Sequence, residues 1–239
     1  MGVRWGTYFD AIYCLSLADF TGRRQQMEGE LQRVGILDSG IFHWKVTVRN
    51  EFYKYIWNNP SFNTPDWWRD LSGNMNCTMG HYEIMKECIA IGYDRVLIIE
   101  DDVRFLKDMR MGMLILNNIP QADIIMFDKN VADRPREQLM AAAINGKVND
   151  FYFSFDTVSL GSTGCYSLSK KAMQNITTMQ EREFMPADFP INKVNEDGLV
   201  RVASTMNLAI QDMMLKGDKM NDIDRHLYDG IATLEDYNL

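Results

Sequence analysis

Three consecutive carboxylates, Glu100-Asp101-Asp102, are the residues whose type and spacing most clearly indicate chemistry in this sequence. They directly follow the apolar run 96–99, and a run without alternation predicts a strand buried on both faces of a parallel sheet. The carboxyl end of such a strand opens onto the crevice where open α/β sheets bind ligands. If the strand continues, Glu100 and Asp102 share one face and Asp101 lies on the other. Because adjacent carboxylates repel each other, the triplet predicts a divalent metal that holds a phosphorylated ligand.

A second interpretation of the triplet stays open at this point. Three exposed acids can simply end a strand and be neutralised by Arg95, Arg104 or Lys107, with no ligand at all.

The composition excludes several classes of protein. With 239 residues, 46% hydrophobic and 24% charged, the chain is expected to form one globular domain over residues 1–239. A net charge of −8 disfavours nucleic acid or an anionic membrane as the main partner. The four cysteines form no C-x-x-C pair and are predicted to be reduced, as in a cytoplasmic protein. No apolar run has transmembrane length, and no secretory segment is apparent.

The chain is predicted to open with a strand at 11–15, a turn and an amphipathic helix at 23–34. Arg23 and Arg24 fall at the start of this helix, where backbone N–H groups favour an anion. They are therefore either a phosphate site or a pair of solvated arginines in the first helical turn.

The remaining patterns alternate between strands and helices, which favours an α/β fold with a mostly parallel sheet. Two regions bear on function. Residues 58–76 are predicted to be a long loop in which Trp67 and Trp68 either form a sugar platform or anchor the loop. His81 lies in the first turn of a helix, on its apolar face, where a histidine is usually a satisfied core residue.

Further strands are predicted at 42–48 (half-buried, by strict alternation), 123–127, 151–155 and 165–168, and further helices at 81–91, 106–116, 134–143 and 170–179.

Several segments together resemble glycosyltransferase family 25, the lipopolysaccharide-biosynthesis and collagen-galactosyltransferase type, over roughly residues 11–190. Cys77-Thr78-Met79-Gly80-His81 is similar to the family's Cys-x-x-Ser-His helix start, with Gly80 in place of the serine. Gln211 is similar to a family glutamine but lacks the usual neighbouring proline. The other matching segments are 12–17, Arg23-Arg24, 34–36, 96–103, 161–172 and the Pro-x-Asp that ends at Asp188.

The resemblance implies a GT-A fold, a UDP-sugar donor (commonly UDP-galactose), Mn²⁺ or Mg²⁺, and inversion at the anomeric carbon. On this basis Asp102, helped by Glu100, is expected to hold the metal, and Asp101 to face the donor ribose. The other residues expected at the donor are Leu15, Arg23, Arg24 and His81. Asp188, held between Pro186 and Pro190, is the expected base, with Glu196 and Asp197 as the next candidates.

The sequence therefore predicts a metal-dependent inverting glycosyltransferase that acts on the hydroxyl of a glycan or glycoconjugate. Its partners are expected to be this donor and acceptor, with membrane contact only peripheral, through the acceptor. Two alternatives stay open: a metal-dependent phosphoryl-transfer enzyme that uses the same acids, and a degenerate transferase fold that binds carbohydrate without turnover.

Overall fold

The protein is described here by a computed structural model, which describes residues 3–48, 72–128, 136–155, 163–192 and 198–211. Its centre is an eight-stranded sheet in the order β2-β1-β3-β8-β5-β9-β7-β6. Six of these strands run in one direction, and β7 and β8 run against it. The strands are β1 (Ala11–Leu17), β2 (Phe42–Thr47), β3 (Arg95–Glu100), β5 (Ile124–Met126), β6 (Lys147–Asn149), β7 (Tyr152–Ser154), β8 (Cys165–Ser169) and β9 (Arg201–Ser204).

Helices cover both faces of this sheet. The helices are α1 (Thr21–Arg33), α2 (Ser72–Ile91), α3 (Met109–Asn117), α4 (Arg136–Asn145), α5 (Lys170–Arg182) and α6 (Asp188–Asn192). Buried side chains of α1 and α3 belong to one core cluster, and those of α2 and α5 belong to the other. A separate two-stranded sheet pairs β4 (Val103–Phe105) with β10 (Ala209–Gln211). The predicted α/β class with a mostly parallel sheet is confirmed.

Strand β3 lies between the two core clusters. Leu97 and Ile99 face the α1 side and Val96 and Ile98 face the α2 side, all with 0% exposure. The unbroken apolar run is therefore explained by burial on both faces, as predicted, and each such side chain contributes about 1.5–3 kcal/mol when fully buried. This burial fixes the position of the acidic residues that follow.

Two sequence predictions about local structure are wrong. The alternation over 42–48 predicts a buried Val46, yet Val46 is 45% exposed because β2 is the edge strand and only Phe42 and Trp44 pack against the core. The predicted loop 58–76 overlaps α2, which already begins at Ser72. Trp67 and Trp68 lie outside the described residues.

All four cysteines are free, as predicted; Cys14, Cys88 and Cys165 are buried and Cys77 is partly exposed. Among the described helices, none combines the length and the apolar character that a membrane span requires.

Candidate functional site

The carboxyl ends of β1 and β3 meet at one edge of the sheet. The two strands are parallel neighbours in a register that pairs Leu15 with Glu100, so the residues just beyond each strand lie side by side. After β1 the chain makes a short turn and enters α1 at Thr21, which carries the first turn of that helix to the same edge.

Arg23, in this first helical turn, joins the two aspartates of the triplet. Its Nη2 lies 2.6 Å from Oδ1 of Asp101 and 2.8 Å from Oδ2 of Asp102. Ser16, near the end of β1, donates from Oγ to Oδ2 of Asp101 over 2.5 Å. We call Asp101 and Asp102 the acid pair. Both are buried, and burial raises the pKa of the Asp101 carboxyl, although the Ser16 hydrogen bond and the Arg23 charge oppose that rise.

The acid pair therefore differs from an exposed, ligand-free strand end. Its described cationic partner is Arg23, which comes from a neighbouring element and not from the residues around the triplet. Arg95 instead donates to the carbonyl of Ala122 over 2.5 Å and to Ser167.

The two adjacent arginines have different surroundings. Arg24 donates to the carbonyls of Leu17 and Ala18 and to the Ser16 hydroxyl, so it fastens the turn between β1 and α1. Arg23 lies over the Phe20 ring, 4.7 Å from its centroid, and its buried Nε has no hydrogen-bond partner among the described residues. Arg23 therefore has a buried donor without a partner among the described residues, whereas Arg24 is engaged with the turn.

Glu100 lies on the opposite face of the sheet with Cys77 and His81, and we call these three residues the second cluster. Strand β3 ends at Glu100, so the alternation predicted to bring Glu100 and Asp102 to one face does not extend to Asp102. Within β3, the Glu100 side chain points to the same face of the sheet as Val96 and Ile98, which pack on the α2 side. There its Oε1 accepts from Thr163 over 2.6 Å and lies 3.2 Å from His81 Nε2 and 3.8 Å from Cys77 Sγ.

His81 is fully buried in α2, and both ring nitrogens have partners. Nε2 faces Glu100, and Nδ1 lies 2.8 Å from the hydroxyl of Tyr166. Because an ionised carboxylate only accepts, a neutral His81 carries its proton on Nε2 and accepts from Tyr166 at Nδ1. Burial keeps the pKa of the Tyr166 hydroxyl well above its usual value, which leaves that hydroxyl as a donor. The predicted place of His81 in the first turn of its helix is wrong, because α2 begins at Ser72 and His81 lies in its middle. His81 is nevertheless a satisfied core histidine, as its apolar face suggested, and it also adjoins the acidic strand end.

Asp188 opens the short helix α6, partly exposed. The preceding residue, Ala187, donates its N–H to the Thr78 hydroxyl over 3.1 Å and so ties this segment to α2. Burial, above all, raises the pKa of the Asp188 carboxyl; the charge of Glu100 adds to the rise, whereas backbone N–H groups and His81 oppose it. The structure therefore brings Asp188 within electrostatic reach of the second cluster.

Leu15, expected at the donor, is buried in the core on the α2 side. It packs against Gly80, and a Cβ added there would lie 3.1 Å from Leu15 Cδ2 and even closer to Cδ1. The glycine that replaces the expected serine therefore makes room for this leucine.

The family model described as glycosyltransferase family 25 (LPS biosynthesis protein) matches residues 9–191, which include the acid pair, the second cluster and Asp188. The chain belongs to glycosyltransferase family 25. The resemblance in the sequence is thereby confirmed.

Members of family 25 that resemble this chain carry different activity labels. The human inactive glycosyltransferase 25 family member 3 is 30% identical over 127 residues, which is 50% of this chain and 21% of the relative. The human procollagen galactosyltransferase 2 is 34% identical over 67 residues, 27% of this chain and 11% of the relative. The chain spans about a fifth or less of these curated relatives. Family membership thus covers members named as inactive and as galactosyltransferases.

A solved structure with a similar arrangement is the glycosyltransferase involved in the glycosylation of the major capsid of PBCV-1. Its TM-score to this chain is 0.45 at 9% identity, over 91% of this chain and 98% of that one.

Sequence reasoning did not single out four residues of the candidate site: Ser16, Cys77, Thr163 and Tyr166. Only Cys77 had a usable signal, because it stands four residues before His81, a spacing that puts both side chains on one helical face. Glu196 and Asp197 lie outside the described residues, as does the side chain of Gln211.

Proposed function

We propose that this chain is a metal-dependent inverting glycosyltransferase that moves a sugar, galactose in the first instance, from a UDP-sugar to a hydroxyl of a glycan or glycoconjugate. The observation that carries the proposal is the buried acid pair at the carboxyl ends of two parallel strands, bridged by Arg23 from a helix N-terminus. Open α/β sheets bind ligands at this edge, and helix N-termini favour phosphate.

The acid pair fits a hard divalent cation. Three carboxylates, Glu100 and the acid pair, face Arg23 and the more distant Arg24, which leaves an excess negative charge. Mn²⁺ and Mg²⁺ prefer carboxylate oxygens as protein ligands. Asp102 would hold the metal, and Asp101 would face the donor ribose. Glu100, the other expected ligand, would join Asp102 only by turning away from His81. When bound, such a metal supplies Lewis-acid stabilisation of the charge that develops on the leaving diphosphate.

Arg23 is suited to the donor phosphates for a separate reason. Its Nε is a buried donor without a partner among the described residues, and leaving such a group unsatisfied costs about 1–3 kcal/mol or more. A phosphate oxygen at this nitrogen would remove that cost while Nη2 keeps its hold on the acid pair. Arg24, engaged with the turn carbonyls, would fix the position of Arg23.

Asp188 is proposed as the base. Its carboxylate would take the proton of the acceptor hydroxyl as the acceptor oxygen attacks the anomeric carbon, on the side opposite the departing UDP. A raised pKa makes Asp188 a stronger base than an ordinary aspartate, which favours this transfer near neutral pH. The nearby Glu100 and His81 then influence the charge state of the base.

The sugar and the acceptor are proposed from the names of relatives and of the family. The name of one relative, procollagen galactosyltransferase 2, favours galactose, and the family description favours a lipopolysaccharide-type glycoconjugate. The cytoplasm remains the proposed compartment, because four free cysteines suit a reducing environment.

A non-catalytic carbohydrate-binding role is the second candidate, and it is favoured by the relative that is named inactive. A panel of UDP-sugars with Mn²⁺, first by thermal shift and then by product analysis with glycan acceptors, separates the candidates. A transferase yields free UDP and a new glycoside, and a phosphoryl-transfer enzyme yields orthophosphate. A binding module shows ligand-induced stabilisation without any product.

A further inference from the structure

The second cluster brings a thiol, an imidazole and a carboxylate together. Cys77 and His81 lie four residues apart on α2 and both face Glu100 at the end of β3. In the part of the chain that the structure describes, one ligand atom from each of these three residues lies within 4.8 Å of the other two.

Two of the three separations in the cluster are close to those of a tetrahedral metal site. Typical zinc distances, roughly 2.3 Å to sulfur and 2.0–2.2 Å to nitrogen or oxygen, imply neighbouring ligand atoms roughly 3.3–3.6 Å apart. The observed values are 3.2 Å for His81 Nε2 to Glu100 Oε1 and 3.8 Å for Cys77 Sγ to the same oxygen. Small side-chain adjustments therefore suffice to surround an ion.

The residues around the cluster already orient its ligands. The Tyr166 hydroxyl lies 2.8 Å from His81 Nδ1, which leaves Nε2 directed at Glu100, and Thr163 holds Glu100 Oε1. At metal sites the second ring nitrogen of a ligating histidine almost always donates a hydrogen bond to an acceptor, and the Tyr166 oxygen would take this role once the His81 proton lies on Nδ1.

We propose that Cys77, His81 and Glu100 form a binding site for a borderline transition metal, Zn²⁺ above all, that is distinct from the donor-side acid pair. The thiolate and imidazole select against Mg²⁺, which prefers oxygen ligands only. On binding, the Cys77 thiol releases its proton to solvent. The neutral His81 ring moves its proton from Nε2 to Nδ1, and this N–H then donates a hydrogen bond to the Tyr166 oxygen, whose own hydroxyl proton turns away. Three protein ligands leave a fourth position for water or an acceptor oxygen.

The two cation sites lie on opposite faces of the sheet and differ in chemistry. Arg23 and the acid pair lie on the α1 side, and Cys77 and His81 on the α2 side. The zinc proposal therefore does not depend on donor binding or on turnover, and it can be tested in the absence of nucleotide.

Co²⁺ titration of metal-stripped protein is the direct test, because tetrahedral Co²⁺ absorbs in the visible range and a cysteine ligand adds a charge-transfer band in the near ultraviolet. We expect both features at one Co²⁺ per chain and their loss on addition of excess Zn²⁺. Cys77→Ser should remove the charge-transfer band and weaken Co²⁺ binding at least tenfold. Cys88→Ser, which alters a buried cysteine further along the same helix, should keep the band.

Two further variants test whether the ion occupies the second cluster and not the acid pair. Asp102→Asn should leave the Co²⁺ spectrum unchanged, whereas a lost spectrum would assign the ion to the acid pair. Tyr166→Phe removes only the hydroxyl and should weaken Co²⁺ affinity by about 10–100-fold. If Cys77→Ser does not fold, X-ray absorption spectroscopy of the zinc-loaded wild-type protein tests the proposal instead, since one sulfur ligand of the zinc is expected. Wild-type protein without a charge-transfer band, or zinc without a sulfur neighbour, would overturn the proposal.

Discussion

Arg23 and Asp102 form an ion pair at the carboxyl end of β3, with Nη2 2.8 Å from Oδ2, and the same nitrogen also reaches Asp101. One positive charge thus holds two adjacent buried carboxylates. A diphosphate without a metal would be repelled by the remaining negative charge of the site. A bound divalent cation would make the net charge of the site positive.

We therefore expect UDP to stabilise the protein only when Mn²⁺ or Mg²⁺ is present. At a free concentration of 100 times Kd, a ligand bound only by the folded state raises the free energy of unfolding by about 2.7 kcal/mol. Asp102→Asn should abolish this effect. Thermal shift with UDP, in Mn²⁺ and in EDTA, measures it, and equal stabilisation in EDTA would exclude a metal bridge.

Asparagine is the better replacement at this position because Asp102 is buried and paired, not an exposed acid at a strand end. Alanine would remove the partner of Arg23 and leave a void, so a loss of binding could reflect a loss of structure. Asp150→Asn is the matched control, since Asp150 is an exposed acid paired with Lys147 far along the chain from β3.

The neighbouring arginines should respond differently to substitution. Arg23→Ala should weaken UDP binding by about 1.5–3 kcal/mol, the net contribution of a charge-assisted hydrogen bond, and it should also lower the free energy of unfolding because the acid pair loses its cationic partner. Arg24→Ala should chiefly lower the free energy of unfolding, because the carbonyls of Leu17 and Ala18 lose their donor. Calorimetric titration with UDP and chemical denaturation separate the two effects. If UDP binding is unchanged in both variants, the two arginines have only a structural role.

The buried strand β3 could be predicted from sequence because its signal is local: an apolar run followed by acids. The start of α2 could not, because Gly73, Asn74 and Asn76 are poor helix formers and the helix is favoured by the packing of Met75 and Met79 into the core. Tertiary burial there outweighs local propensity.

The hydrogen-bond partners of the acidic residues could not be predicted from sequence patterns either. Thr163 and Tyr166 reach the second cluster because β8 inserts antiparallel between β3 and β5, and no periodicity in the sequence specifies that order. For the same reason, the sequence identified three consecutive carboxylates but could not separate Glu100 from the acid pair.

Asp188→Asn should bind UDP and metal normally but lose about 10²–10⁴ in turnover, the range for general-base catalysis. Asparagine keeps the shape of the side chain and cannot take the proton. Single-turnover transfer with saturating donor measures the loss, and Asp108→Asn, an exposed aspartate at the start of α3, is the control. Near-wild-type turnover would pass the role to Glu196 or Asp197.

The pH profile gives an independent test of this base. A base works only when it is ionised, so kcat/KM should rise with pH through the pKa of Asp188. Because burial and the charge of Glu100 raise that pKa, the rise should occur above the usual aspartate range. Glu100→Gln removes the nearby negative charge and should move the rise to lower pH. If the low-pH side of the kcat/KM profile does not move in this variant, the charge of Glu100 does not raise the pKa of Asp188.

Gly80→Ser should destabilise the protein, although it restores the serine typical of family 25. The added Cβ collides with Leu15, which must move, and overpacking of this kind costs about 1–3 kcal/mol. Leu15→Ala opens the same space, so the double variant should be more stable than the sum of the single effects by about 0.5–3 kcal/mol. Gly29→Ser, at a helical glycine with open space around its Cβ position, should be neutral or slightly stabilising. Denaturant titration of the four variants measures the coupling, and strictly additive effects would mean that Leu15 and Gly80 do not constrain each other.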